Sequence, residues 1–439
     1  TKHIFIQGLE GSSIALFFSN LLEHKQAHIL IANDLDEAGY LYNDLVQING
    51  NDHILLFPSG YKRDIKYGQP DPPSEILRTE VLNRLCQKGE SLLIVTYPEA
   101  IAEKVVPVNM LSEQTLHIDK NSKCDIITLS DKLRERGFEE VDYVYEPGQF
   151  AVRGSILDVF SYTNELPYRI DFFGKEVESI RTFEVETQLS TGKLEEVYIV
   201  ANVCGQEVSG ISILDFIDKN TILICHNLSW VIDRISTIAS ESLSEQTLIA
   251  EEGDRYAMQK IIDVTAFQKK ITTFRRIDYG ASSEANAPAV IRFNCAPQGV
   301  YHKNFDLVSQ SFSQFIEKGY TLYILSDSEQ IERLQAIFEE RGDSISFTPV
   351  LKTLHEGFVD NDLKIGCFTD HQIFDRFHKY TLKSEHARSG KLALSLKELN
   401  QIEVGDYIVH VDHGIGRFGG LIHTEINGKM QEVIKLTYQ

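Results

Sequence analysis

A chain of 439 residues with 42% hydrophobic content is long enough for about three domains of roughly 100–200 residues, each with its own core. Its formal net charge of −21 argues against a surface built mainly to hold nucleic acid, since phosphate affinity rests on clustered Lys and Arg, although a local basic patch stays open. The scattered cysteines Cys86, Cys124, Cys204, Cys225, Cys295 and Cys367 imply neither zinc site nor disulfide framework, and no apolar run approaches the ~20 residues that span a bilayer.

The first hundred residues alternate strand and helix. Ile4 to Ile6 reads as a strand, Ser12 to Leu22 as a helix, His28 to Ala32 as a buried strand, Asp36 to Ile48 as a helix and Ile54 to Phe57 as a strand. A turn-rich stretch from Pro58 to Pro73 precedes an amphipathic helix from Ser74 to about Lys88, and Ser91 to Thr96 closes the set. This alternation predicts a parallel sheet with helices on both faces. From 116 to 200 the texture is α+β: one short helix, Ser130 to Gly137, lies among period-2 strands such as Tyr168 to Phe173. The α/β texture returns over 201–295, with a strand at Thr221 to Cys225, so residues 1–115 and 201–295 are expected to form one discontinuous domain. A further α/β domain is expected over 296–385: helix Leu307 to Lys318, strand Thr321 to Leu325, helix Ser328 to Arg341 and strand Lys364 to Phe368. Its role is unreadable. Residues 386–439 begin as linker and end as strands broken by turns, the texture of a small β-barrel.

Gly8-Leu-Glu-Gly11-Ser12-Ser13-Ile14-Ala15 sits where a phosphate loop would, after a strand and at a helix start. An active loop would read G-x-x-G-x-G-K-[ST], with Lys on the β/γ-phosphates and a hydroxyl on Mg²⁺. Here Ser13 replaces the last Gly, Ile14 the Lys and Ala15 the hydroxyl residue, and Glu10 adds negative charge. The strand at Thr221 to Cys225 runs on into His226-Asn227-Leu228 instead of paired acids. A vestigial nucleotide fold and an ordinary α/β turn both fit, and both exclude ATP hydrolysis here. No catalytic residue and no cofactor are expected.

The most informative stretch is Glu146 to Ser190, EPGQFAVRGSILDVFSYTNELPYRIDFFGKEVESIRTFEVETQLS. Arg153 and Arg169 offer planar donor forks for carboxylates, and Phe173 an apolar anchor of the kind enriched at binding hot spots. The two-residue period puts Arg169 and Phe173 on one face and Ile170 and Phe172 on the other. Equally open from spacing alone, the arginines pair with Asp158, Asp171 or Glu178 inside the module and Phe173 lies in its core.

These residues resemble the module shared by the excinuclease subunit UvrB and the transcription-repair coupling factors. The block from Asn20 to Ser190, with FPSGYKRDIKYGQPDPPSEILRTEVLNRL inside it, is similar to the UvrB-homologous region of those factors. The resemblance implies a UvrB-like fold with a degenerate P-loop-type sheet, and it implies UvrA as partner, contacted by Arg153, Arg169 and Phe173. After Leu93 to Pro98, only Glu99 to Pro107 follow, leaving no room for the long aromatic hairpin by which UvrB engages damaged DNA. GDYIVHVDHGIGRFGGLIHTEINGK at the other end resembles the RNA-polymerase-interacting module that the coupling factors share with CarD-type regulators. This implies a Tudor/CarD-like barrel holding the polymerase β subunit through Leu421, Ile422 and Thr424. The glycines at 414, 416, 419 and 420 suit tight turns. They account for this motif better than a metal site at His410, Asp412 and His413, and no metal is expected.

Finding both blocks in this order points to the coupling-factor family, with a UvrB-like ATP-dependent helicase subunit or a CarD-type regulator as the alternatives. The family implies an ATP- and Mg-dependent double-stranded DNA translocase in a C-terminal part, which would also make the main DNA contacts. The chain starts at Thr1 without a methionine and stops at Gln439 in a strand-like run, so it is expected to be a piece of a longer, cytoplasmic protein with no membrane partner.

Overall fold

The computed structural model describes residues 3–60, 72–87, 89–120, 122, 124–162, 164, 166–185, 187–201, 210–248, 261–280, 289–376, 380, 405–410, 414–426 and 429–437. It is a mixed α/β structure in two compact units, residues 1–382 and 383–439.

In the first unit, β1 (His3–Gln7), α1 (Ser13–Ser19), β2 (Ala27–Ile31), α2 (Leu35–Asn49), β3 (Ile54–Phe57), α3 (Pro72–Cys86) and β4 (Leu92–Thr96) follow in order, close to the segments read from periodicity. Apolar runs such as Leu92 to Val95 are buried throughout, as expected where helices cover both faces of the central strands of a parallel sheet. Asp34 caps α2, its side chain accepting from the Glu37 amide at 2.9 Å, a standard way of satisfying a free helix N–H. The chain then leaves this sheet and returns to it with β13 (Ile222–Cys225), β14 (Arg275–Gly280) and β15 (Val290–Arg292). The order is β15-β1-β14-β13-β2-β4-β3, with the pairings parallel.

The excursion forms β5 (Thr115–Asp119), β6 (Glu139–Glu140), β7 (Gln149–Arg153), β8 (Ile156–Val159), β9 (Tyr168–Phe173), β10 (Glu176–Phe183), β11 (Ser190–Leu194) and β12 (Glu196–Val200). A six-stranded sheet runs β11-β10-β9-β8-β7-β6, and β12 pairs with β5. The helix here covers Ile126–Glu135, four residues ahead of the expected start. Asp125 caps it, accepting from Ile127 N–H at 3.0 Å. Ser130, read as its beginning, instead donates back to the Ile126 carbonyl at 2.8 Å within the helix, a bond available to any mid-helix serine.

A five-stranded sheet follows: β16 (Cys295–Pro297), β17 (Thr321–Leu325), β18 (Thr348–Val350), β19 (Phe358–Asp360) and β20 (Ile365–Thr369), in the order β16-β19-β20-β17-β18. Its helices are Phe305–Glu317 and Ser328–Arg341. The expected strand at 364 begins one residue later because Lys364 is in the left-handed region, φ 53°. In the second unit, β21 (Tyr407–His410), β22 (Gly414–Ile426) and β23 (Lys429–Thr437) form an antiparallel sheet. The linker expected at the start of 386–439 lies outside the described residues up to 404, as does most of the 58–73 turn region. No helix among the described residues is long and apolar enough to cross a membrane.

Candidate functional site

Alternation along β9 decides which of its side chains can meet a partner. Tyr168, Ile170 and Phe172 are buried in the module core with Phe150, Leu157 and Ile180. Arg169, Asp171 and Phe173 occupy the opposite face. Phe173 is 79% exposed and ends β9 at a two-residue hairpin whose Gly174 has φ 64°, the left-handed geometry such turns require. Exposing a phenylalanine forgoes roughly 1.5–3 kcal/mol of burial. Phe173 is not in the core.

The two arginines do meet inside the module, on Asp158, which is 0% exposed. Arg169 stands directly opposite it across the β8–β9 ladder. It binds bidentately, Nε to Oδ1 at 2.7 Å and Nη2 to Oδ2 at 2.8 Å, and Nη1 donates to the Gln188 carbonyl at 3.0 Å. Arg153, at the end of the β7–β8 hairpin, donates through Nη2 to the same Oδ2. The side chains of Arg169 and Arg153 are 13% and 34% exposed. The hydrogen bond to Asp158 holds the Arg169 guanidinium further above its ordinary pKa, against the opposing effect of burial. Asp171, another of the acceptors considered, is taken by Arg181 and by Ser179 Oγ at 2.6 Å.

Arg153 lies 4.9 Å from the centre of the half-exposed Tyr143 ring, and Arg169 lies 4.4 Å from that of Phe183. Each such cation–π contact adds ~0.5–1 kcal/mol or more. The face is therefore a braced cationic cluster flanked by an exposed aromatic ring at the hairpin end. Sequence reading missed Tyr143, which lies between β6 and β7, and Arg181, which strand register sets opposite Arg169; neither carries a local signal.

In the turn between β1 and α1, Gly8 and Gly11 have φ 84° and 53°. Four N–H groups of this turn are already engaged within the protein. Glu10 N–H donates to Ser13 Oγ at 2.9 Å, Ser13 N–H to the Glu10 carbonyl at 3.2 Å and Ile14 N–H to the Gly11 carbonyl at 3.3 Å. Ser12 N–H donates to the Glu356 carbonyl at 3.1 Å, and Ser12 Oγ accepts from Glu356 N–H at 3.0 Å while donating to Asp44 at 2.5 Å. A Cβ on Gly11 would come within 2.9 Å of the Gly357 carbonyl. Ala15 is buried in the core and Ile14 packs against it. Segment 355–357 packs its backbone against this turn, and burial and Glu10 raise the pKa of the Glu356 carboxyl. At the end of β13, His226 Nδ1 pairs with Glu37 at 2.6 Å.

Leu421, Ile422 and Thr424 lie in β22, paired with Ile434, Val433 and Gln431 of β23. Of the residues weighed for a metal, His410 ends β21, while Asp412 and His413 lie outside the described residues. No cluster that could hold a metal occurs among the described residues.

Residues 116–204 match the family described as the UvrB interaction domain, and residues 402–439 the CarD-like/TRCF RID domain. Along its length the chain is similar to proteins named transcription-repair-coupling factor. It is 24% identical to that of Staphylococcus aureus strain MRSA252 over 510 aligned residues, covering 99% of this chain and 43% of the relative. For Staphylococcus epidermidis strain ATCC 12228 the figures are 22% over 516, covering 100% and 44%. The chain thus spans less than half the length of these relatives.

Proposed function

We propose that this chain, which belongs with the transcription-repair-coupling factors, is the non-catalytic adaptor part of such a factor. It links an RNA polymerase stalled at DNA damage to nucleotide excision repair. The outer face of the six-stranded sheet recruits UvrA through Arg153, Arg169 and Phe173. The strands of the second unit, as part of a small CarD-like barrel, hold the polymerase β subunit at Leu421, Ile422 and Thr424. ATP and Mg²⁺ serve a double-stranded DNA translocase elsewhere in the full-length protein. The observation that carries this reading is the exposed Phe173 beside a rigid arginine pair within the segment matched to the UvrB interaction domain.

The test is UvrA capture by the whole chain. Hot-spot truncations cost ~2 kcal/mol or more each, about 30-fold in Kd. Arg153→Ala with Arg169→Ala should therefore lower UvrA affinity by at least about 30-fold. Phe173→Ala, at an exposed site that leaves folding intact, should lower it by about 10-fold or more. Wild-type affinity in both variants, each checked as folded by circular dichroism, would reject the assignment.

A degenerate phosphate loop plugged by segment 355–357 should not take nucleotide. Calorimetric titration of Mg-ATP into the chain is expected to give no saturable heat up to millimolar concentration. Micromolar binding would instead favour a UvrB-like ATPase reading.

A further inference from the structure

We infer that the UvrA-facing surface extends to Leu189, and that Arg169 acts on it as a positioning residue from beneath. This rests on the reading that UvrA docks on this face. Arg169 has little free surface: its bonds to Asp158 and to the Gln188 carbonyl use three of its five N–H groups and bury most of the side chain. An arginine so occupied has few donors left for a partner. The Gln188 bond fixes a turn. Gln188 sits at φ 58°, an uncommon conformation for a side-chain-bearing residue. Its amide N–H donates to the Glu184 carbonyl at 2.8 Å, its Nε2 to the Val185 carbonyl at 2.8 Å, and Glu184 N–H to the Leu189 carbonyl at 3.0 Å. The turn is closed on itself and tied to Arg169, and it carries Leu189 outward, 68% exposed.

The strand geometry sets the footprint. Arg169 and Phe173 are four residues apart on β9, about 13 Å at ~3.3 Å per residue. Leu189 is anchored at the Arg169 end and Phe173 stands at the other. Arg153 and its Tyr143 ring lie beside the shared Asp158. A cation between apolar anchors is the composition of an interface centre, and it fits a UvrA surface with an acidic group set among apolar side chains.

The experiment measures UvrA affinity of the whole chain by biolayer interferometry for Arg153→Ala, Leu189→Ser, Arg169→Lys and the Leu189→Ser/Arg169→Lys pair, with melting temperatures alongside. Leu189→Ser should weaken binding about 5–10-fold without lowering the melting temperature. Arg169→Lys keeps the charge but loses the fork, and should weaken binding by a similar factor. In the Leu189→Ser background, however, Arg169→Lys should cost less than about 2-fold, because the turn it positions no longer carries the contact. Full additivity would mean that Arg169 touches UvrA itself, and it overturns the positioning role. Loss on Arg153→Ala with wild-type binding of Leu189→Ser overturns the extended footprint and leaves the recruitment reading standing. Wild-type binding of Arg153→Ala removes the reading on which both rest.

Discussion

Asp158→Ala is expected to destabilise the six-stranded module by about 3–5 kcal/mol, the scale for deleting one partner of a buried ion pair. Exposed ion pairs contribute only ~0–1 kcal/mol, because water and side-chain entropy compete with them. Asp158 differs on both counts. Its side chain has no exposure, and it accepts from two guanidiniums through both oxygens. Removing it leaves Arg169 charged, largely buried and short of two hydrogen bonds. Asp158→Asn should be milder, since Oδ1 can still accept from Nε, but its amide would point N–H groups at N–H groups. The measurement should be a urea titration followed by far-ultraviolet circular dichroism, or hydrogen exchange of the β8 and β9 amides. Fluorescence of the single tryptophan is a poor probe, because Trp230 lies in the Leu228–Leu248 helix and outside this module. A loss below about 1 kcal/mol would mean that the cluster is solvated and no brace.

That cluster marks how far the sequence could be read. Period-2 alternation put Arg169 and Phe173 on one face, and the structure has them there with Ile170 and Phe172 inside. It could not choose between core packing and exposure for Phe173, nor among Asp158, Asp171 and Glu178 as the arginine partner. Those choices depend on which residues face each other across β8, β9 and β10, and register is set by hairpin turns and bulges, such as the irregularity between Val177 and Ser179. The buried parallel strands were legible because both-face burial writes itself as continuous apolar runs. The plug at the β1–α1 turn left no sequence trace. Ser12, Asp44 and Glu356 are joined across more than 300 residues of chain, and a glutamate after a histidine looks like any polar loop. Ile14 and Ala15 in place of Lys and a hydroxyl residue were visible in the sequence, but the packing of segment 355–357 on this turn was not.

The same plug should make the contribution of Asp44 to stability fall as pH rises from about 4 to 7. This carboxyl is buried between α2 and segment 355–357, accepting from His355 N–H at 2.7 Å and from Ser12 Oγ at 2.5 Å. Burial raises its pKa most; the Ser12 and His355 hydrogen bonds oppose this, Glu356 adds to it, and the net result is a rise from 3.8 to about 7. A group whose pKa is higher folded than unfolded takes up a proton on folding. Its contribution is complete below about pH 4 and is lost as pH climbs through the folded value near 7. At about 1.4 kcal/mol per pKa unit the loss is on the order of 4 kcal/mol. Asp44→Asn abolishes the titration while keeping an acceptor for His355 N–H and a donor towards Ser12. It should therefore exceed wild type in stability by up to about 4 kcal/mol at pH 8 and by far less at pH 4.5. His226, whose ring burial would discharge but Glu37 keeps charged to higher pH, and Asp278, which burial raises against Arg276 and His3, slope the same way, while His28, whose pKa burial lowers to about 4, slopes the opposite way. The informative quantity is consequently the difference between variant and wild type at each pH, taken from urea midpoints. A difference that stays constant from pH 4.5 to 8 would show that Asp44 does not titrate in that window and that the plug holds it ionised.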